Sequence, residues 1–127
     1  MATPAPLGGR FQIFDVLATL VAVLQPNATV LYSNSALEDV LGISRRTLLG
    51  SGFAEYFTDP LPFSRAWADA STNTFSAIRY DAYLRRTGGD PMPVHVILTR
   101  SQETDEVVVE MVPLEQQTRQ EREERLA

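Results

Sequence analysis

The run VAVLQPNATVLYSNSALEDVLG, residues 21–42, decides the fold. Val21 to Leu24 and Thr29 to Tyr32 are β-branched and apolar, which suits a pleated surface. Between them, Pro26-Asn27 fits the centre of a tight turn. Proline presets φ at the first central position, and asparagine tolerates a left-handed φ at the second. The two arms therefore read as an antiparallel hairpin. A helix follows at once. Ser35 with Glu38 three residues on has the form of a capping box, and Asn34 is a competing N-cap. Ala36, Leu37, Val40 and Leu41 form one apolar face, and Gly42 supplies a C-terminal stop.

Outward from this run the pattern changes twice. Upstream, Phe11, Phe14, Leu17 and Ala18 make a short helical stripe, and residues 1–10, rich in Pro, Gly and Ala, are expected to be disordered. Downstream, residues 43–74 read as short helices. Ser44 can cap a turn carrying Leu48 and Leu49, closed by Gly50. Phe53, Tyr56 and Phe57 share a face, and Phe63, Ala66, Trp67 and Ala70 repeat the helical spacing. After Asn73 the period becomes two. Ile78, Tyr80, Ala82 and Leu84 alternate with Arg79, Asp81, Tyr83 and Arg85. TGGD then signals a hairpin, and Met92, Val94, Val96 and Leu98 line one face of the next arm. Val107, Val109 and Met111 begin a last strand that Pro113 ends. The order is helix, two strands, short helices, three strands: an α+β protein with five antiparallel strands and helices packed on one face.

From Leu114 the tail is charged. Glu115–Arg119 and Glu121–Arg125 pairs support a helix by a few tenths of a kcal/mol each, yet it has too little apolar surface to dock alone. The domain is thus expected over residues 11–113, with residues 114–127 beginning a helical linker.

Composition narrows the function. The chain of 127 residues has no cysteine, which removes disulfides, thiolate metal sites and cysteine nucleophiles. Its formal charge of −5, with all 11 basic residues arginine, repels phosphate backbones and argues against nucleic acid. No apolar run approaches the roughly 20 residues that span a bilayer. No metal site, phosphate loop or catalytic motif is present in the pattern, so an enzymatic reading has no residues to rest on.

The order of elements, with LYSNSALEDVLG after the first hairpin, resembles a PAS domain over about residues 11–115. In that family an asparagine after the second strand caps the next helix, and Asn34 matches. The run from Gly42 to Gly50, G-x-S-R-R-x-L-x-G, is similar to the family's glycine-to-glycine segment. EMVPLEQQTRQERE, residues 110–123, resembles the junction in nitrogen-regulation sensor kinases of the NtrB type, where this strand leads into the phosphoacceptor helices.

The resemblance implies a cytoplasmic sensory and dimerisation module. It would relay signal through Glu110, Pro113, Leu114 and Gln117 to kinase domains of the same chain. A PII-type protein and a response regulator would bind those domains. Phe11, Phe14 and Leu17 would either meet a second protomer or fold back on their own sheet. Tyr32, Leu37, Phe53, Phe57, Trp67, Tyr80 and Val96 are the candidates to line a cavity for a small metabolite or non-covalent flavin; otherwise they fill the core, and no cofactor is required. A covalent flavin adduct needs a cysteine. The stretch PFSRAWADASTN has no histidine where haem-binding relatives carry their ligand, which argues against haem. His95, the only histidine, reads as a ligand or proton switch, or as a plain residue on the polar face of a strand.

Overall fold

Every strand expected from the alternating patterns forms, and all pair antiparallel. The computed structural model describes residues 11–72 and 77–114; the expectations for residues 1–10 and 115–127, Gln117 included, lie outside them. The strands are β1 (Leu20–Leu24), β2 (Val30–Ser33), β3 (Ile78–Leu84), β4 (Met92–Arg100) and β5 (Val107–Pro113). They make one sheet in the order β2-β1-β5-β4-β3. The last strand in sequence is therefore central, between β1 and β4.

The inner face carries Leu20, Ala22 and Leu24 from β1, Val94, Val96 and Leu98 from β4, and Val107, Val109 and Met111 from β5, all buried. The connection between β2 and β3 folds over it. It consists of α1 (Ser35–Leu41), α2 (Arg45–Leu48), a 3-10 helix (Phe53–Tyr56) and α3 (Leu61–Thr72). These contribute Leu37, Leu41, Leu48, Phe53, Phe57 and Phe63 to the same core. Another 3-10 helix, Gln12–Val16, precedes β1 where the stripe of phenylalanines predicts a helix.

The first hairpin differs from expectation in two details. The Ala28 N–H donates to the Gln25 carbonyl at 2.8 Å, so Pro26-Asn27 are indeed the central pair. The left-handed residue, however, is Ala28, with φ +67°, not Asn27. Asn27 instead turns its side-chain oxygen onto the Thr29 N–H (3.1 Å) and hydroxyl (2.6 Å). The ladder then slips: Val23 faces Tyr32, whereas Leu24 faces Val30, leaving Leu31 as an extra residue. A bulge of this kind re-aims the side chains beyond it. Val30 enters the core, while Tyr32 shares the opposite face with Val23.

Candidate functional site

The join between β2 and α1 is built around Asn34, which is fully buried. Its side-chain oxygen accepts from the Leu37 N–H (3.1 Å), capping α1, and from the Val21 N–H (3.0 Å). Its amide nitrogen donates to the carbonyls of Thr19 (2.8 Å) and Phe14 (3.1 Å). One side chain thus ties together α1, β1 and the first 3-10 helix. Ser35 is not the cap. It lies in the first turn, and its N–H and hydroxyl both point to Asp15. Glu38 makes no capping box with it and instead meets Arg45 at 3.1 Å.

Asp15 is the other hub. A single carboxylate oxygen accepts from the Tyr32 hydroxyl (2.7 Å) and from Arg45 (3.0 Å), besides Ser35. The Arg45 guanidinium lies 5.3 Å from the Tyr32 ring centroid. Burial alone would raise the Asp15 pKa, but the Tyr32 hydrogen bond and the Arg45 charge outweigh it and hold the carboxyl below its ordinary value. Burial and the Asp15 bond push the Tyr32 phenol far up, so it stays protonated and donates. Sequence reasoning missed Asp15 and Arg45: they are 30 residues apart, and no periodic pattern joins them.

Phe11 and Phe14 stack on each other (6.2 Å between ring centroids) and pack on Tyr32 at 5.3 and 6.1 Å. These two rings therefore lie against their own sheet. Leu17 stays 43% exposed and Ile13, between the rings in sequence, 70% exposed.

Of the seven cavity candidates, Leu37, Phe53, Phe57 and Val96 are fully buried in the core, and Trp67 and Tyr80 pack against it. Tyr32 is not with them, because the bulge has turned it to the other face. Phe53, Phe57 and Phe63 meet one another at 5.5–5.7 Å, and Phe63 continues to Trp67 at 5.7 Å. These are contact distances for aromatic rings, so the four side chains pack against one another in series. Tyr80 is the exception to complete packing. Its hydroxyl is buried without a hydrogen-bond partner, and burial raises its pKa.

His95 bonds through Nδ1 to Asp81, its cross-strand neighbour, at 2.8 Å. It lies on the face away from the core, beside exposed Asp81. Among the described residues, no group of three or more His, Asp or Glu side chains is placed to hold a metal ion. No helix there is long and apolar enough to cross a membrane. Along β5, Glu110 is exposed opposite Ile97, Pro113 is opposite Val94, and Leu114 follows as the chain leaves the sheet.

This arrangement is an antiparallel sheet with a helical connection folded over one face and a buried asparagine at the join between β2 and α1. A family model described as the PAS fold matches residues 14–122. The chain belongs to the PAS family. In three dimensions this PAS domain is similar to that of an HTR-like protein from Haloarcula marismortui. The two share a TM-score of 0.70 and 18% identity, over 84% of this chain and 90% of that one. It is also similar to a PAS domain from a two-component sensor histidine kinase, with TM-score 0.67 and 18% identity over 83% and 93% of the two chains. The PAS domain of the Cronobacter turicensis quorum-sensing receptor RpfR, solved in complex with C12:0, matches with TM-score 0.67 and 10% identity over 76% and 94%. At these identities the likeness is one of fold. No curated protein matches the chain by sequence. PAS domains are sensory modules of signalling proteins, and the observed elements are those of such a module.

Proposed function

We propose that this PAS domain is the sensory and dimerisation module of a cytoplasmic, two-component sensor histidine kinase of the nitrogen-regulation type. The observation that carries the reading is the place of β5. It is central in the sheet, buries Val107, Val109 and Met111 in the core, and leads directly to Pro113-Leu114. A change in packing between the sheet and its helices shifts β5, and β5 shifts whatever follows. Two such chains in a homodimer set the spacing of two exit segments, biasing a two-state kinase element downstream. Glu110, Pro113, Leu114 and Gln117 form the relay. The PII-type protein and the response regulator meet domains beyond this one. The likeness of residues 110–123 to the NtrB-type junction supports the nitrogen-regulation assignment.

The test is made in the full-length protein that carries this chain. Glu110→Arg and Pro113→Ala are introduced, and the ratio of histidine autophosphorylation to phosphatase activity is measured. The expected result is a shifted ratio with unchanged folding. An unchanged ratio in both variants, or a parent without a phosphoacceptor histidine, overturns the reading.

A second reading rests on the unpartnered Tyr80 hydroxyl. A small molecule that brings a hydrogen-bond acceptor to this hydroxyl would satisfy it, since a buried unpaired donor costs about 1–3 kcal/mol. Native mass spectrometry of the purified chain decides this: a bound small molecule lost on Tyr80→Phe supports it, and a bare chain rejects it.

A further inference from the structure

A groove of about 550 Å³ runs between the end of α1, the second 3-10 helix and the β3–β4 hairpin. This is within the range of small-molecule sites. Its lining is divided by chemistry. Leu41, Ile43, Tyr56 and Pro91 contribute apolar surface; Thr58, Thr87, Arg85 and Arg86 contribute polar groups, and Glu55 is the one acid among the lining residues.

The polar groups are held in place. The Arg85 N–H donates to the Tyr56 carbonyl at 2.8 Å, and Thr58 N–H to the Tyr83 carbonyl at 3.1 Å. The Thr87 hydroxyl donates to the Leu41 carbonyl at 2.7 Å, fastening the hairpin to the end of α1. Both guanidinium groups are oriented through Nε: Arg85 to the Phe57 carbonyl (3.2 Å) and Arg86 to the Asp90 carbonyl (2.8 Å). Those bonds use one donor on each and leave the paired Nη edges available. Neither arginine forms an ion pair among the described residues, although Arg45 and Arg100 both do.

Two guanidiniums held through Nε and without ion-pair partners among the described residues outnumber the groove's one acid, Glu55, and with the apolar side chains beside them they complement a ligand with an anionic head and a short apolar body. Planar forks of this kind match a carboxylate in two-point contact. We propose that this groove binds a small free organic carboxylate, its head on Arg85 and Arg86 and its body over Leu41, Ile43 and Tyr56. Tyr80 is not among the residues lining this groove, and the proposal is independent of the kinase assignment.

The experiment is an NMR titration of the purified chain with hexanoate, with hexan-1-ol as the uncharged probe of the same shape. Saturable shifts are expected at Leu41, Ile43, Thr58, Arg85 and Thr87, with hexan-1-ol binding at least about tenfold more weakly. Arg85→Gln with Arg86→Gln should weaken hexanoate by about tenfold or more. Tyr80→Phe should leave it unchanged. Equal binding of hexanoate and hexan-1-ol to the unaltered chain overturns the proposal without any variant. So do shifts centred on Tyr80, or no saturation at millimolar hexanoate.

Discussion

Replacing Asn34 with alanine leaves the buried N–H groups of Val21 and Leu37 without their side-chain acceptor and the Thr19 and Phe14 carbonyls without its amide. A helix cap alone is worth about 1 kcal/mol, and each orphaned buried donor adds roughly 1–3 kcal/mol. The expected loss is therefore about 3 kcal/mol, read as a fall in the denaturant midpoint at constant slope. A loss near 1 kcal/mol would mean that only the cap matters. Asn34→Asp keeps both acceptor contacts but places a carboxylate oxygen against two carbonyls, so it should also destabilise, though by less. Asp15 makes a separate prediction in pH. Its folded pKa is lowered, so its contribution is complete above the unfolded carboxylate range, near pH 4, and is lost as pH falls through the folded value. Asp15→Asn should lower the neutral plateau and flatten the acid limb, so that the two stability profiles converge as pH falls. An acid limb identical to wild type would remove Asp15 from the account.

At the level of elements, the strands and helices were legible because most bury one face, while β1, buried on both, reads as a continuous apolar run. The alternation of Tyr80, Ala82 and Leu84, and of Val94, Val96 and Leu98, appears unchanged as the inner surface of β3 and β4. What alternation could not reveal was the slip at Leu31, because a bulge adds a residue without altering composition. That slip is why Tyr32 left the company of the other core aromatics. Nor does periodicity give strand order: the insertion of β5 between β1 and β4 depends on long-range pairing. Gly42 was read as a stop for α1, and its φ of +68° agrees. Its second role was invisible in the linear chain. A Cβ at this position would lie 2.9 Å from the Thr87 Cβ, on the hairpin that joins β3 to β4. Gly42→Ala thus combines a left-handed strain of about 1 kcal/mol with overpacking of about 1–3 kcal/mol. A loss of about 2 kcal/mol or more is expected in thermal or chemical unfolding. In a Thr87→Gly background, measured against Thr87→Gly alone, part of this loss should be recovered, since glycine removes both the Cβ and the hydroxyl oxygen that the new Cβ would meet. No recovery would assign the whole cost to backbone strain.

For the whole molecule the question is how the N-terminal segment serves both the fold and assembly. Phe11 and Phe14 are committed to Tyr32, and Asp15 is committed to Tyr32, Ser35 and Arg45, so this segment is fastened to the sheet edge through apolar and ionic contacts together. Changing the phenylalanines to aspartate would break an intramolecular contact as well as any contact between protomers, and loss of dimer would then be uninformative. Ile13 and Leu17 separate the two effects, because their side chains are the exposed apolar groups of the same segment. If two protomers meet through it, Ile13→Asp with Leu17→Asp places four carboxylates in the shared interface of a symmetric pair, whose self-repulsion and desolvation disfavour association. The fold should be almost unaffected, since exposed substitutions usually change stability by less than about 0.5 kcal/mol. Sedimentation of the double variant should give a monomer with wild-type unfolding. A dimer that persists with unaltered affinity would move the contact to the outer face of β4 and β5, where Ile97, Val108 and Val112 are only half-buried, and substitution there would become the decisive experiment.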